Sequence, residues 1–119
     1  MILRALALLI LVATMPLPAA AQSYPAKPIV VVNGFPPGGG PDILARQLAG
    51  VLAKRLNQSV LVDNRPGATG TIGAASVARA EPDGYTLLFG VAANLVIGPS
   101  TLDVQYDPVK SFAPIVEIA

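Results

Sequence analysis

The run Asn33-Gly34-Phe35-Pro36-Pro37-Gly38-Gly39-Gly40-Pro41-Asp42 separates two different periodicities. Before it, Ile29-Val30-Val31-Val32 is an unbroken β-branched run, the pattern of a strand covered on both faces, as in a parallel sheet. After it, Leu44, Leu48, Val51, Leu52 and Leu56 recur at helical spacing, with Arg46, Gln47, Lys54 and Arg55 left outward. Pro41 suits the start of that helix, and Asp42 puts a negative charge in its first turn. A strand that enters a helix through glycines offers free backbone N–H groups at the positive end of the helix, where an anion can sit. Glycine tolerates positive φ and lets a ligand approach the main chain. The stretch is therefore predicted to be half of a carboxylate-binding site, with an ordinary strand-to-helix turn as the alternative.

The rest of the chain repeats the theme. Asn57-Gln58 ends the helix, and Val60-Leu61-Val62 makes a second strand, completing a right-handed βαβ unit. Asn64-Arg65-Pro66-Gly67-Ala68-Thr69-Gly70-Thr71-Ile72-Gly73 then leads into an alanine-rich helix over residues 71–80, able to lie close to a neighbour. Glu81-Pro82-Asp83-Gly84 is a turn by composition, and Thr86-Leu87-Leu88-Phe89 a third strand. Beyond it the pattern predicts a short helix over residues 94–97 broken by Gly98-Pro99, loops at Tyr106-Asp107-Pro108 and Ser111-Phe112, and a fourth strand over residues 113–119. The fold class is α/β, a mostly parallel sheet flanked by helices. Two glycine-rich loops at one edge of such a sheet face a single crevice.

The N-terminus has the marks of a secretory leader. Arg4 supplies a positive charge, residues 5–17 are nearly all apolar, and Pro18-Ala19-Ala20-Ala21 provides the small residues of a cleavage site, predicted after Ala21. The apolar run is shorter than a membrane-spanning helix requires. Gln22-Ser23-Tyr24-Pro25-Ala26-Lys27-Pro28 follows as an extended arm, because residues before proline avoid the helical region. Eight basic residues, Arg4 among them, stand against seven acidic ones, a balance that gives no electrostatic reason to seek nucleic acid.

Catalysis has little to work with. The chain has no histidine and no cysteine, which removes Ser–His and Cys–His pairs, disulfides and the usual zinc ligand sets. The first loop lacks the Gly-Lys-Ser/Thr ending of a nucleotide P-loop, and Gly67, Gly70 and Gly73 give G-x-x-G-x-x-G rather than a dinucleotide fingerprint. No metal and no cofactor is expected.

Taken together, these pieces resemble the start of a periplasmic solute receptor of the tripartite tricarboxylate transporter family, the Bug (Bordetella uptake gene) proteins. The resemblance runs through Tyr24-Pro25-Ala26-Lys27-Pro28-Ile29, Phe35-Pro36-Pro37-Gly38-Gly39-Gly40 with Asp42 and Ala45-Arg46, and Asn64-Arg65-Pro66-Gly67-Ala68 with Gly70 and Ile72-Gly73-Ala74. It continues through Pro82-Asp83-Gly84-Tyr85-Thr86-Leu87, Tyr106-Asp107-Pro108 and Phe112-Ala113-Pro114-Ile115. It implies the first lobe, over residues 22–119, of a two-lobed type II periplasmic binding protein that closes on a carboxylated solute and delivers it to a membrane permease. In such receptors the loop after the first strand binds a carboxylate through main-chain N–H groups and bridging waters. Carried onto this sequence, that loop includes Phe35, with Gly38, Gly39 and Gly40 as donors and Asp42 as organiser of the turn; Thr71, Ala92 and Asn94 match positions that line the cleft.

Two departures stand out. Asn33-Gly34 occupies a place where these receptors usually carry an apolar residue and proline, which is expected to loosen the end of the first strand, and Pro41 replaces a residue that is often threonine. The family's receptors are also much longer, which makes a truncated product with weak or no binding of its own the expectation. The rival readings are a small exported enzyme acting on a carboxylated substrate and a non-binding remnant or single-lobe interaction module.

Overall fold

A computed structural model describes residues 23–118. The leader and its cleavage site lie outside the described residues. Three parallel strands, β1 (Ile29–Asn33), β2 (Val60–Asn64) and β3 (Thr86–Phe89), form a sheet in the order β2-β1-β3. In register, Ile29 faces Val60 and Asn33 faces Asn64 on one side, while Val30 faces Thr86 and Asn33 faces Phe89 on the other.

Helix α1 (Gly40–Leu56) connects β1 to β2, and α2 (Thr71–Ala78) connects β2 to β3. The second connection runs back across β1, so two right-handed crossovers put the helices on opposite faces. The contacts of β1 and the residue after it agree: Val31 packs in a cluster with Ala45 of α1 and Phe89, whereas Gly34, just past the strand, lies against Gly73 of α2. The core is small, built on Ile29, Val31, Val32, Ala45, Ala49, Ala74 and Phe89.

Helix α1 starts and stops as its sequence requires. Gly39 is extended at the N-cap, Pro41 lies in the first turn, Lys54 and Arg55 occupy the last, and Asn57 closes the helix in the left-handed conformation with its N–H on the Ala53 carbonyl. The buried face differs from the expected aliphatic stripe. Asp42, Ala45 and Ala49 are buried, while Leu44 and Val51 are 49% and 52% exposed. The reason is steric and electrostatic together: Ala45 and Ala49 allow the closest approach to the sheet, and Asp42, three residues before Ala45, is drawn to the same side by partners on the loop and on β2.

After β3, Gly98-Pro99 does not break the helix. A π-type turn, Ala93–Ile97, runs directly into α3 (Gly98–Thr101). Pro99 sits in the first turn of α3, where its missing N–H is not needed. Gly98 is required for space, since a Cβ there would lie 2.4 Å from Cγ2 of Thr71.

The expected fourth strand is absent from the structure. Residues 113–118 have no regular structure, and Ile115, Val116 and Ile118 are exposed. β-branched residues favour a strand, but a strand exists only through a ladder with a neighbour, and none of the described segments pairs with this one.

At the N-terminal ends of the strands, the arm is fastened to the turn before β3. Tyr24 Oη donates to the Gly84 carbonyl at 2.7 Å, Ala26 N–H to Tyr85 Oη at 2.8 Å, and Lys27 pairs with Asp83 at 2.9 Å while lying over the Tyr85 ring.

Candidate functional site

All three strands point their C-terminal ends to one edge, so the loops that follow them, residues 34–39, 65–70 and 90–92, meet there. Gly70 is the meeting point. It has φ 84°, and a Cβ on it would lie 3.0 Å from the Phe35 ring and 3.2 Å from Cβ of Asn94. Gly34 is packed more tightly still: its Cβ would stand 2.6 Å from the Gly70 carbonyl oxygen. Backbone therefore touches backbone between the first and second loops. The expected loosening at Asn33-Gly34 does not occur, because Asn33 is fully buried between β2 and β3 and Gly34 permits this close contact.

The first loop is gripped at both ends by side chains. Asp42 Oδ2 accepts the Gly38 N–H at 2.9 Å and Arg46 Nε at 2.9 Å. Asp42 Oδ1 accepts from Asn64 Nδ2 at 2.8 Å, and the same amide donates to the Phe35 carbonyl at 3.0 Å. Arg46 Nη2 donates to Asn64 Oδ1 at 3.0 Å, closing the ring. Hydrogen bonding to the ionised form holds the Asp42 carboxyl at about 2, with the Arg46 guanidinium contributing most, then the Gly38 N–H and the Asn64 amide, against an opposing effect of burial.

The candidate residues sort into several environments. Gly38, at φ 83°, has its N–H committed to Asp42, so it is not a free donor as expected from sequence. Gly39 and Gly40 are exposed at the N-terminus of α1, where first-turn N–H groups lack intrahelical acceptors. The Gly39 carbonyl accepts the Ile43 N–H and starts the helix. Phe35 is half-buried. Thr71 is buried at the first position of α2, its hydroxyl donating to the Ala68 carbonyl at 2.7 Å and tying the helix start back to the second loop. Ala92 is exposed. Asn94 is fully buried: its Oδ1 accepts the Val91 N–H at 2.9 Å, its carbonyl accepts from the Tyr106 hydroxyl, and its Nδ2 has no partner among the described residues. Among the described residues no group of three His, Cys, Asp or Glu side chains comes together.

Arg46 and Asn64 were not among the residues expected at the site. The Asp42–Arg46 pair has the i,i+4 spacing of a helical ion pair and was readable in principle. Asn64 is 22 residues from Asp42, and nothing local announces it.

The arrangement places the exposed N-terminus of α1 at the C-terminal edge of a parallel sheet, where backbone N–H groups can receive an anion. Residues 44–119 match the model of the tripartite tricarboxylate transporter family receptor. The chain belongs to that family. A UPF0065 protein of Bordetella bronchiseptica is 45% identical over 84% of this chain and 30% of its own length, and protein BugT of Bordetella pertussis is 42% identical over 82% of this chain and 31% of its own. Among solved structures, MatC of Rhodopseudomonas palustris, determined with bound malate, superposes with a TM-score of 0.66 at 35% identity, covering 76% of this chain and 31% of MatC. The receptor chain thus spans about 30% of the length of the curated relatives it matches.

Proposed function

We propose that these residues form the first lobe of an extracytoplasmic receptor that captures a small carboxylate and hands it to the membrane permease subunits of a tripartite tricarboxylate-type transporter. The observation that carries the reading is the exposed Gly39-Gly40 backbone at the N-terminus of α1, held at the sheet edge where three strand-end loops meet. MatC, on which 76% of this chain superposes, was solved with malate. In the complete receptor a second lobe closes over the solute, supplying further contacts and excluding water. A leader ending near Ala21 directs the product to the periplasm. No catalytic step is assigned.

Calorimetry and thermal-shift titration of the chain with malate and adipate test this reading. A saturable rise in melting temperature without consumption of the acid supports it, since a ligand that binds only the folded state stabilises by mass action. Turnover of the acid, or no shift at millimolar dicarboxylate when the chain is carried within a complete two-lobed receptor, overturns it.

A further inference from the structure

The loop over residues 34–39 is short of internal restraints. Pro36 and Pro37 have no N–H to donate, and its glycines confer little stiffness of their own. An anion seat made of backbone N–H groups nonetheless works only if those groups are already aimed, because ordering them on binding subtracts from affinity. Something outside the loop has to hold it.

Building on the receptor reading above, we propose that Asn64 and Arg46 are positioning residues for the carboxylate loop: neither touches the solute, and together they present Gly39 and Gly40 in one fixed arrangement. Asn64 Nδ2 takes the Phe35 carbonyl at one end of the loop, and Asp42 takes the Gly38 N–H at the other. Arg46 spans the two holders, with Nε on Asp42 and Nη2 on Asn64. The planar fork of a guanidinium reaches both at once, which a lysine ammonium does not do. Arg46 also neutralises Asp42, whose negative charge would otherwise repel an incoming carboxylate. Asn64 directly precedes Arg65-Pro66-Gly67, so the same amide ties the first loop to the second and any displacement of one wall of the crevice reaches the other.

The test compares the 119-residue chain with its Asn64→Ala, Arg46→Lys and Lys27→Ala variants. Lys27 lies at the opposite end of the sheet and serves as the control. Amide hydrogen exchange is followed for Gly38 and for Val31 in the sheet, and malate affinity is measured by calorimetry. Asn64→Ala and Arg46→Lys are expected to speed Gly38 exchange about tenfold, leave Val31 unchanged, and weaken malate about tenfold. Lys27→Ala is expected to change neither. Because lysine keeps the positive charge, a loss in Arg46→Lys separates the fork from simple charge neutralisation. Unchanged Gly38 exchange in both loop variants, equal acceleration at Gly38 and Val31, or wild-type affinity in either loop variant overturns the proposal. If the wild-type chain binds no dicarboxylate by itself, the second lobe is needed to retain the solute and Gly38 exchange alone decides whether these residues hold the loop.

Discussion

Asn64 Nδ2 lies 2.8 Å from Asp42 Oδ1, joining the last residue of one strand to the first turn of the helix that precedes that strand. Through this bond the βαβ unit fastens its own entrance loop: the residue that ends β2 holds the carboxylate that holds Gly38. The burial of Asp42, with its side chain only 4% exposed, follows from the same contact, since a buried carboxylate is tolerated when each of its oxygens is paired.

The Asp42 carboxyl should give the chain a distinct sensitivity to acid. It titrates at about 2 when folded and near 3.9 when unfolded, so the unfolded chain takes up the proton first. Its contribution to stability is complete above about pH 4 and is lost as the pH falls toward 2. Urea unfolding measured between pH 2 and 6 should show a steeper acid loss for the wild type than for Asp42→Asn. Equal slopes would refute the assignment.

Gly34→Ala should destabilise without altering secondary structure. The new Cβ would meet the Gly70 carbonyl oxygen at 2.6 Å and the Gly70 Cα at 2.8 Å, backbone atoms that no rotamer change moves aside. The expected loss is about 1 to 3 kcal/mol, read as a fall in melting temperature of several degrees or more. An unchanged melting temperature would mean that the first and second loops do not touch as described.

Gly98→Ala should be rescued in part by a change elsewhere. The added methyl would collide with Cγ2 of Thr71, and Thr71→Ser removes that atom while keeping the hydroxyl that donates to Ala68. The double variant should be more stable than the sum of the two single losses by about 0.5 to 3 kcal/mol. Strict additivity would place Gly98 and Thr71 apart.

Much of this architecture was legible in one dimension. The β-branched run of β1 read as a strand, and Pro41, Asp42 and Asn57 marked the ends of α1, because β-branched runs and helix termini leave local signals in the sequence. The face that α1 buries was legible only in part: Leu48 packs against the Val31, Ala45 and Phe89 cluster as its spacing suggests, but Leu44 and Val51 are exposed and Ala45 and Ala49 take the closest place on the sheet. The continuity of the helix through Gly98-Pro99 was equally hidden, for it depends on Thr71 leaving room only for glycine. At the site, the glycine loop declared itself, but Gly38 was misread as a free donor because its acceptor, Asp42, reaches it only through side-chain geometry.

The order of residues determined the three strands, the first two helices and the glycine turns between them, because these follow from backbone sterics and periodicity within a few positions, whereas the segments after β3 did not follow their local pattern. Only the folded arrangement decided which glycine amide is taken up, which carboxylate is buried, and that Asn64 and Arg46 meet around Asp42. Those outcomes rest on hydrogen bonds between atoms far apart along the chain, and no local pattern encodes the distance at which such atoms will meet.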